Sequence, residues 1–177
     1  MATRKISIPL DNVHIDGSGS TNTPAGYERV VSSGTQTTGT PKLSYGRYLF
    51  GTSTDQFIMG VLRVPDDYVS GGKIGFTHGS AATSQEVRWC AGFEPMDESS
   101  TDSDAAVFNA LDEIAAVTVP STAGRVITTE ITLTTTGITA GEIGVVFLGR
   151  NQDHADDDAA DTAWVMEDSL YFEYENS

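Results

Sequence analysis

The chain contains few of the residues that form cross-links or carry positive charge. Its 177 residues include one cysteine, three histidines and three lysines. A single cysteine excludes an intrachain disulfide and a zinc site built from several thiolates. Cys90 lies in the apolar run 87–91, and this position predicts a buried, unreactive thiol.

Long apolar runs and helical periodicity are also scarce. No run approaches the roughly 18 apolar residues that a membrane-spanning helix needs, so no membrane partner is expected. The basic residues near the N-terminus precede no apolar run of the kind found in a secretory signal, and we expect none.

Acidic residues dominate the charge. There are 25 Asp and Glu against 10 Lys and Arg, which gives a formal net charge of −15 and a pI near 4.3. Such a surface repels phosphate backbones, so nucleic acid is not an expected partner. Abundant Asp and Thr with little Lys are typical of proteins exposed to concentrated salt, so this composition fits a halophilic environment and a merely acidic protein equally well.

Alternating apolar and polar residues predict strands throughout the chain. Short alternating runs separated by Gly, Pro, Asp and Asn are typical of an all-β sandwich or barrel. We predict a single jelly-roll β-sandwich of about eight strands over residues 27–177. Residues 1–26 read as an extended N-terminal arm and a Gly/Ser-rich linker. Residues 105–116 are the best candidate for the single short helix.

Large residues on the apolar faces of these strands predict the core. The expected core comprises Phe57, Phe76, Trp89, Phe93, Ile131, Leu133, Phe147 and Phe172.

Two strands are apolar on both faces, which indicates a second covering layer or a neighbouring subunit. The runs 56–64 and 143–148 show this pattern. We therefore expect a homo-oligomer, most simply a trimer, in which the arm also contacts a neighbour through paired backbone. The expected interface residues are Ile6, Ile8, Leu10, Ile58, Leu62, Val146 and Leu148.

No catalytic arrangement is evident, so we expect a protein that is not an enzyme. His14, His78 and His154 fit no zinc motif, and the chain lacks the G-x-S-x-G sequence of a nucleophile elbow. The paired acids at 66–67 are typical of a turn.

An acidic run near the C-terminal end suggests weak cation binding. It does not match the ligand spacing of an EF-hand, so a solvated loop is the simpler reading. No cofactor is expected beyond weakly held Ca, Mg, Na or K ions. The candidate ligands are Asp153, Asp156, Asp157 and Asp158.

Several short motifs resemble those of jelly-roll virion proteins of tailed viruses. They are the P-D-D-Y-V-S-G-G-K-I turn at 65–74, the V-R-W strand at 87–89, the acidic stretch 150–162 ending in A-A-D-T, and the L-Y-F-E-Y strand at 170–174. The resemblance implies a capsid decoration or spike protein on the virion surface, with the major capsid protein as partner. The acidic composition suggests a virus of a haloarchaeal host.

Two other functions stay open at this stage. Jelly rolls also serve as carbohydrate- or receptor-binding modules, for example of a viral fibre or tail. Such a module predicts exposed Trp or Tyr on one face, whereas Trp89 and Trp164 are expected to be buried. A small β-sandwich hydrolase would instead place a His opposite a Ser or a pair of acids.

Overall fold

The computed structural model describes residues 1–10, 23–34, 41–97, 101, 107–108, 110–134 and 137–177. Within these ranges the chain forms fourteen strands and no helix. The strands are β1 (Ala2–Ser7), β2 (Thr23–Pro24), β3 (Gly26–Val31), β4 (Ser44–Phe50), β5 (Gln56–Arg63), β6 (Tyr68–Ser80), β7 (Glu86–Val87), β8 (Trp89–Pro95), β9 (Asp112–Glu113), β10 (Val117–Thr118), β11 (Val126–Thr132), β12 (Ile143–Arg150), β13 (Ala163–Met166) and β14 (Tyr171–Asn176).

The strands form a large sheet of seven, a small sheet of five and a two-stranded ladder of β7 and β10. Eight strands pair in a nested order. Strand β4 pairs with β13, β5 with β12, β6 with β11, and β8 with β9, all antiparallel. The first of these eight therefore pairs with the last, and the fourth with the fifth, as in a jelly roll. The predicted fold class is confirmed.

The remaining strands extend the large sheet. Strand β14 continues the course of β13 beside β6, and β1 pairs with β14 over six residues. Strand β3 pairs with the outer side of β4. A turn over 167–170 separates β13 from β14, and Asp168 there has a positive φ of 58°.

All eight predicted core residues are buried, but they divide between two clusters. Six lie between the two sheets, where Trp89 meets Phe50 and Phe76 edge to face at centroid distances of 5.0 and 5.1 Å. Phe57 and Phe147 instead stack on each other on the outer face of the small sheet, beside Cys90. Alternation correctly predicts that these side chains are buried, but it does not say which side of the sheet they lie on.

The structure corrects the expected interface core. Six of the seven expected contact residues pack inside this chain, and the seventh, Ile6, is half-buried against the same cluster. The second apolar face of β5 and β12 is covered on the inner side by the chain's own large sheet, which no single-strand pattern reveals. The six buried residues are Ile8, Leu10, Ile58, Leu62, Val146 and Leu148.

The described part of the expected arm is an edge of the sandwich. Strand β1 adds to the large sheet of its own chain, and Ile8 donates its amide to the Leu170 carbonyl at 2.9 Å. Ile8 and Leu10 then enter the core. Residues 11–22, the greater part of the expected linker, lie outside the described residues.

The helix expected over 105–116 is wrong where the chain is described. Residues 107–108 and 110–111 have no regular structure, and 112–113 form β9, which pairs with β8. Residues 105–106 and 109 lie outside the described part. Leu111 is 39% exposed, and the tip of its side chain lies against Gly92 on the outer face of the small sheet.

Candidate binding cleft

The acidic loop that follows β12 is built around an arginine. Arg150 and Asp157 form a bidentate ion pair at 2.6 and 2.9 Å, and both side chains are only 1% exposed. The guanidinium also donates to four backbone carbonyls, at 50, 51, 159 and 161. Asp157 thus has an internal cation as its partner, which removes it from the predicted cation ligands.

The other predicted cation ligands are also engaged or scattered. Asp156 pairs with Arg88 at 3.2 Å, and Asp158 accepts the Glu86 amide at 2.6 Å. The amide of Asp153 is bound by Asp55. Among the described residues, no group of three or more His, Cys, Asp or Glu is placed to hold a metal ion.

The histidines and the cysteine form no common site. His78 is fully buried in the core, where burial lowers its pKa to about 4, and its Nε2 lies 2.9 Å from the Thr129 hydroxyl. His154 lies on the acidic loop with Nδ1 accepting the Asp156 amide, while His14 is outside the described residues. Burial raises the pKa of the Cys90 thiol to about 12, which agrees with the expected unreactive cysteine.

A cleft of about 540 Å³ lies on the outer face of the large sheet, at the end formed by β4, β6 and β13. It brings together an indole, an arginine–carboxylate pair and two hydroxyl side chains. Its lining residues are Glu28, Arg47, Leu49, Ser80, Ala81, Ala123, Gly124, Thr162 and Trp164.

The Trp164 ring contacts both a glycine and a guanidinium. A Cβ on Gly79 of β6 would come closer than 3.0 Å to the indole, so the ring lies against the backbone of that glycine. Arg47 lies over the ring, with its Cζ 5.0 Å from the indole centroid, and pairs with Glu28 through Nε at 2.5 Å. The indole is therefore only 3% exposed, as the sequence predicts, yet it forms a wall of the cleft.

A second ring on the same face repeats this arrangement. Tyr171 lies over Gly75 of β6, and Lys5 stands 4.2 Å from its centroid. The Tyr171 hydroxyl donates to Glu130 at 2.7 Å, and this bond together with Lys5 lowers the pKa of that carboxyl to about 2. Lys73 joins the network through Glu130 and Glu173. Because each ring is capped by a cation, neither presents an open stacking platform.

Sequence reasoning missed Arg47 and Glu28 because pairing between β3 and β4 brings them together. They are directly opposite in the antiparallel register, and side chains opposite each other share a face of the sheet. The only local signal is the presence of charged residues within two predicted strands, Glu28 and Arg29 in one and Arg47 in the other. Which strands become neighbours is decided by the topology of the whole chain.

A second cleft of about 600 Å³ lies where the end of β5 meets the start of β12. It is lined by Arg63, Met96, Asp97, Thr139, Ala140, Gly141, Glu142 and Ile143. None of these described lining residues is aromatic, and Arg63 is exposed without an ion-pair partner among the described residues. The cleft with the indole is therefore the better-defined candidate site.

The described residues contain no helix long and apolar enough to cross a bilayer.

Comparison with known proteins yields weak structural similarities only. No protein-family model and no curated protein sequence matches the chain. TmCBM61 in complex with β-1,4-galactotriose has a TM-score of 0.41 and 9% identity, covering 98% of this chain and 88% of that one. The family 11 carbohydrate-binding module from Clostridium thermocellum, bound to a β-1,3-1,4-mixed-linked tetrasaccharide, has a TM-score of 0.38 and 14% identity, covering 96% and 87%.

An arabinose-bound α-L-arabinofuranosidase, MgGH51, has a TM-score of 0.41 and 10% identity, and the match spans 84% of this chain but 22% of the enzyme. At these values the similarities assign neither a ligand nor an activity, and the nested strand pairing carries the jelly-roll assignment by itself.

Proposed function

We propose that the protein is a binding module that holds a saccharide without reacting with it. The cleft on the outer face of the large sheet supports this proposal, because it combines an apolar wall with a fixed pair of opposite charges. Both strands that carry the pair belong to the sheet, so the two groups are positioned by a rigid scaffold rather than by a loop.

Sugars suit this combination of groups. Each hydroxyl donates and accepts hydrogen bonds, so the Glu28 carboxylate can accept from one hydroxyl while the Arg47 guanidinium donates to its neighbour. The apolar face of a pyranose ring would pack against Leu49 and the edge of Trp164. Because Glu28 and Arg47 neutralise each other, the cleft favours a neutral saccharide over a strongly anionic one.

Intrinsic fluorescence of Trp164 tests the proposal. A Trp89→Phe variant leaves Trp164 as the sole tryptophan, since the chain contains two. Titration with a panel of soluble polysaccharides should change its emission for at least one neutral member. Arg47→Met should weaken that binding at least tenfold, because it removes the donor while leaving the apolar stem.

The matched control is Tyr171→Phe, which alters the other capped ring on the same face and should leave saccharide affinity unchanged. Circular dichroism checks that every variant is folded. If no member of the panel binds, or if Arg47→Met binds as tightly as the parent, the cleft is not a saccharide site.

A second candidate is a structural subunit of a virus particle, the role that the sequence motifs imply. It is favoured by apolar residues on the outer face of the small sheet, where Val61 and Ile143 are 59% and 44% exposed. These residues lie on the same face as the buried stack of Phe57 and Phe147. The apolar surface of this face therefore includes residues that are exposed to solvent. Such a surface is typical of a contact site.

Cosedimentation with naked tailed-virus capsids tests this role. The protein should pellet with the capsids, and Val61→Ser should reduce the bound fraction. Val69→Ser is the matched control, because Val69 is 46% exposed but lies in the large sheet. Equal loss in both variants, or absence of binding by the parent protein, would exclude this surface as the attachment site.

A further inference from the structure

The four edges of the two sheets are protected to very different degrees. The small sheet ends in β2 and β9, each only two residues long. Very short edge strands offer few free backbone groups to another chain. Strands β2 and β9 are themselves therefore poor templates for strand addition.

One side of the large sheet is protected by charge. Its outermost strands there are β1 and β3. Strand β1 carries Arg4 and Lys5, and β3 carries Glu28 and Arg29. Charged side chains on an edge strand oppose its pairing with a further chain.

The opposite edge, β11, lacks these protections. It pairs with β6 over seven residues without a register shift, and no described residue pairs with its other side. Its sequence V-I-T-T-E-I-T is rich in β-branched residues and contains no Pro, Gly or Lys. The one charge, Glu130, is already neutralised by Lys5 and Lys73 of the same chain. A long, regular edge of this composition is a template for strand pairing.

We propose that β11 pairs with β11 of a second copy of this chain, antiparallel and across a twofold axis at Thr129, so that two large sheets become continuous. A twofold axis perpendicular to the sheet keeps the inner faces of the two copies on the same side. Odd-numbered residues of one β11 must therefore lie opposite odd-numbered residues of the other, and even-numbered opposite even-numbered. Centring on Thr129 places Ile127 against Ile131 on the inner face and Thr128 against Glu130 on the outer face. No two like charges are directly opposite, and the strand is complementary to itself.

Charges beyond the ends of β11 support the same register. Arg125 is exposed and has no ion-pair partner among the described residues. The register brings it opposite Leu133 of the second copy, next to Thr134, whose amide is held by the Asp112 carboxylate at 2.8 Å. An arginine of each copy therefore comes close to an aspartate of the other at both ends of the contact.

Cysteine cross-linking tests the register directly. The double variant Val126→Cys/Thr132→Cys places each new thiol opposite its counterpart, so a short thiol cross-linker should give a covalent dimer. The single variant Val126→Cys is the matched control, because two copies of residue 126 would lie about 20 Å apart along the strands. Cys90 does not interfere, since its thiol is buried with a pKa of about 12.

Sedimentation in 1 M salt measures the equilibrium between monomer and dimer. At this salt concentration the repulsion between two copies, each with a net charge of −15, is screened beyond about 3 Å. Val126→Lys/Thr132→Lys puts lysines opposite each other twice and should raise the dissociation constant at least tenfold. Val31→Lys, on the β3 edge, should leave it unchanged.

Three results would overturn the proposal. The first is a parent protein that stays monomeric up to about 1 mM. The second is a solution mass equal to that of three chains, and the third is cross-linking of the single variant that is as efficient as that of the double variant.

Discussion

Arg150 brings a positive charge into the interior of the protein. It follows the apolar run of β12 and is 1% exposed, with all its hydrogen-bonding capacity directed to Asp157 and to backbone carbonyls. A buried ion pair of this kind is costly to break from one side, because the remaining charge stays in a poorly solvated site.

Arg150→Met should therefore lower the free energy of unfolding by about 3–5 kcal/mol. The control, Arg88→Met, breaks partly exposed pairs with Asp156 and Glu113 and should cost less than about 1 kcal/mol. Urea denaturation of both variants gives the comparison. Equal costs would show that the Arg150 pair is no more important than a surface pair.

His78 gives the fold a pH dependence above the range in which carboxylates titrate. Its pKa is lowered by burial from 6.5 to about 4, so below pH 6.5 the unfolded chain binds a proton that the folded chain does not. Stability is fully present above pH 6.5 and is lost as the pH falls toward 4. Between pH 7 and pH 5 the expected loss is about 2 kcal/mol.

The measurement is the urea midpoint at several pH values between 5 and 7, for the parent and for His78→Gln. The substitution removes the titrating group. The free energy of unfolding of the variant should therefore change less between pH 5 and pH 7 than that of the parent, even if the variant is less stable at every pH. A parallel decline in the two proteins would assign the pH dependence to other residues.

At the scale of elements, the N-terminal strand is part of the sandwich. Strand β1 covers the edge of β14, and Ile8 and Leu10 fill the core with 1% and 5% exposure. Each side chain contributes roughly 1.5–3 kcal/mol of burial. Lys5 adds a bond to Glu130 from the outer face.

Deleting residues 1–10 should thus destabilise the sandwich, whereas a detachable arm would leave it unchanged. We expect a clearly lower melting temperature in a thermal scan, together with exposed apolar surface detected by dye binding. Deletion of residues 1–5, which keeps Ile8 and Leu10, should have a smaller effect. A truncated protein that melts with the parent would restore the interpretation of this segment as an independent arm.

The pairing of β3 with β4 has a consequence for the candidate cleft. Because the two strands are neighbours in the large sheet, Glu28 holds Arg47 over the Trp164 ring. The cleft is therefore a property of the sheet surface, and loops contribute only its rim at 81, 123–124 and 162.

For the molecule as a whole, the excess of negative charge predicts stabilisation by salt. Repulsion among 25 acidic residues against 10 basic ones extends over about 30 Å at 0.01 M salt and about 3 Å at 1 M. Screening also weakens ion pairs on the outer face, such as those of Lys5, but these are few compared with the fifteen unbalanced charges.

The melting temperature should accordingly rise between 0.01 M and 1 M NaCl. The same thermal scan in a neutral osmolyte of matched water activity is the control. It separates the screening of charges from the stabilisation that any solute gives when it is excluded from the protein surface. A melting temperature that is flat or falls across this range would contradict the prediction.

Strand positions and core residues could be predicted from the sequence, because alternation of apolar residues depends only on the two-residue period of a strand. Trp89, Phe93 and Phe172 are buried for this reason. The prediction of a helix at 105–116 is wrong where the chain is described, since a helical pattern of a few apolar residues also fits an irregular segment packed on a sheet.

Local periodicity and turn residues are sufficient to specify the all-β class, the location of most strands and the buried aromatics. The tertiary structure alone decided which strands are neighbours. That choice placed Ile58 and Val146 against the chain's own large sheet and joined Arg47 to Trp164. Contacts between residues far apart in the chain depend on the packing of two sheets, and no local pattern encodes that packing.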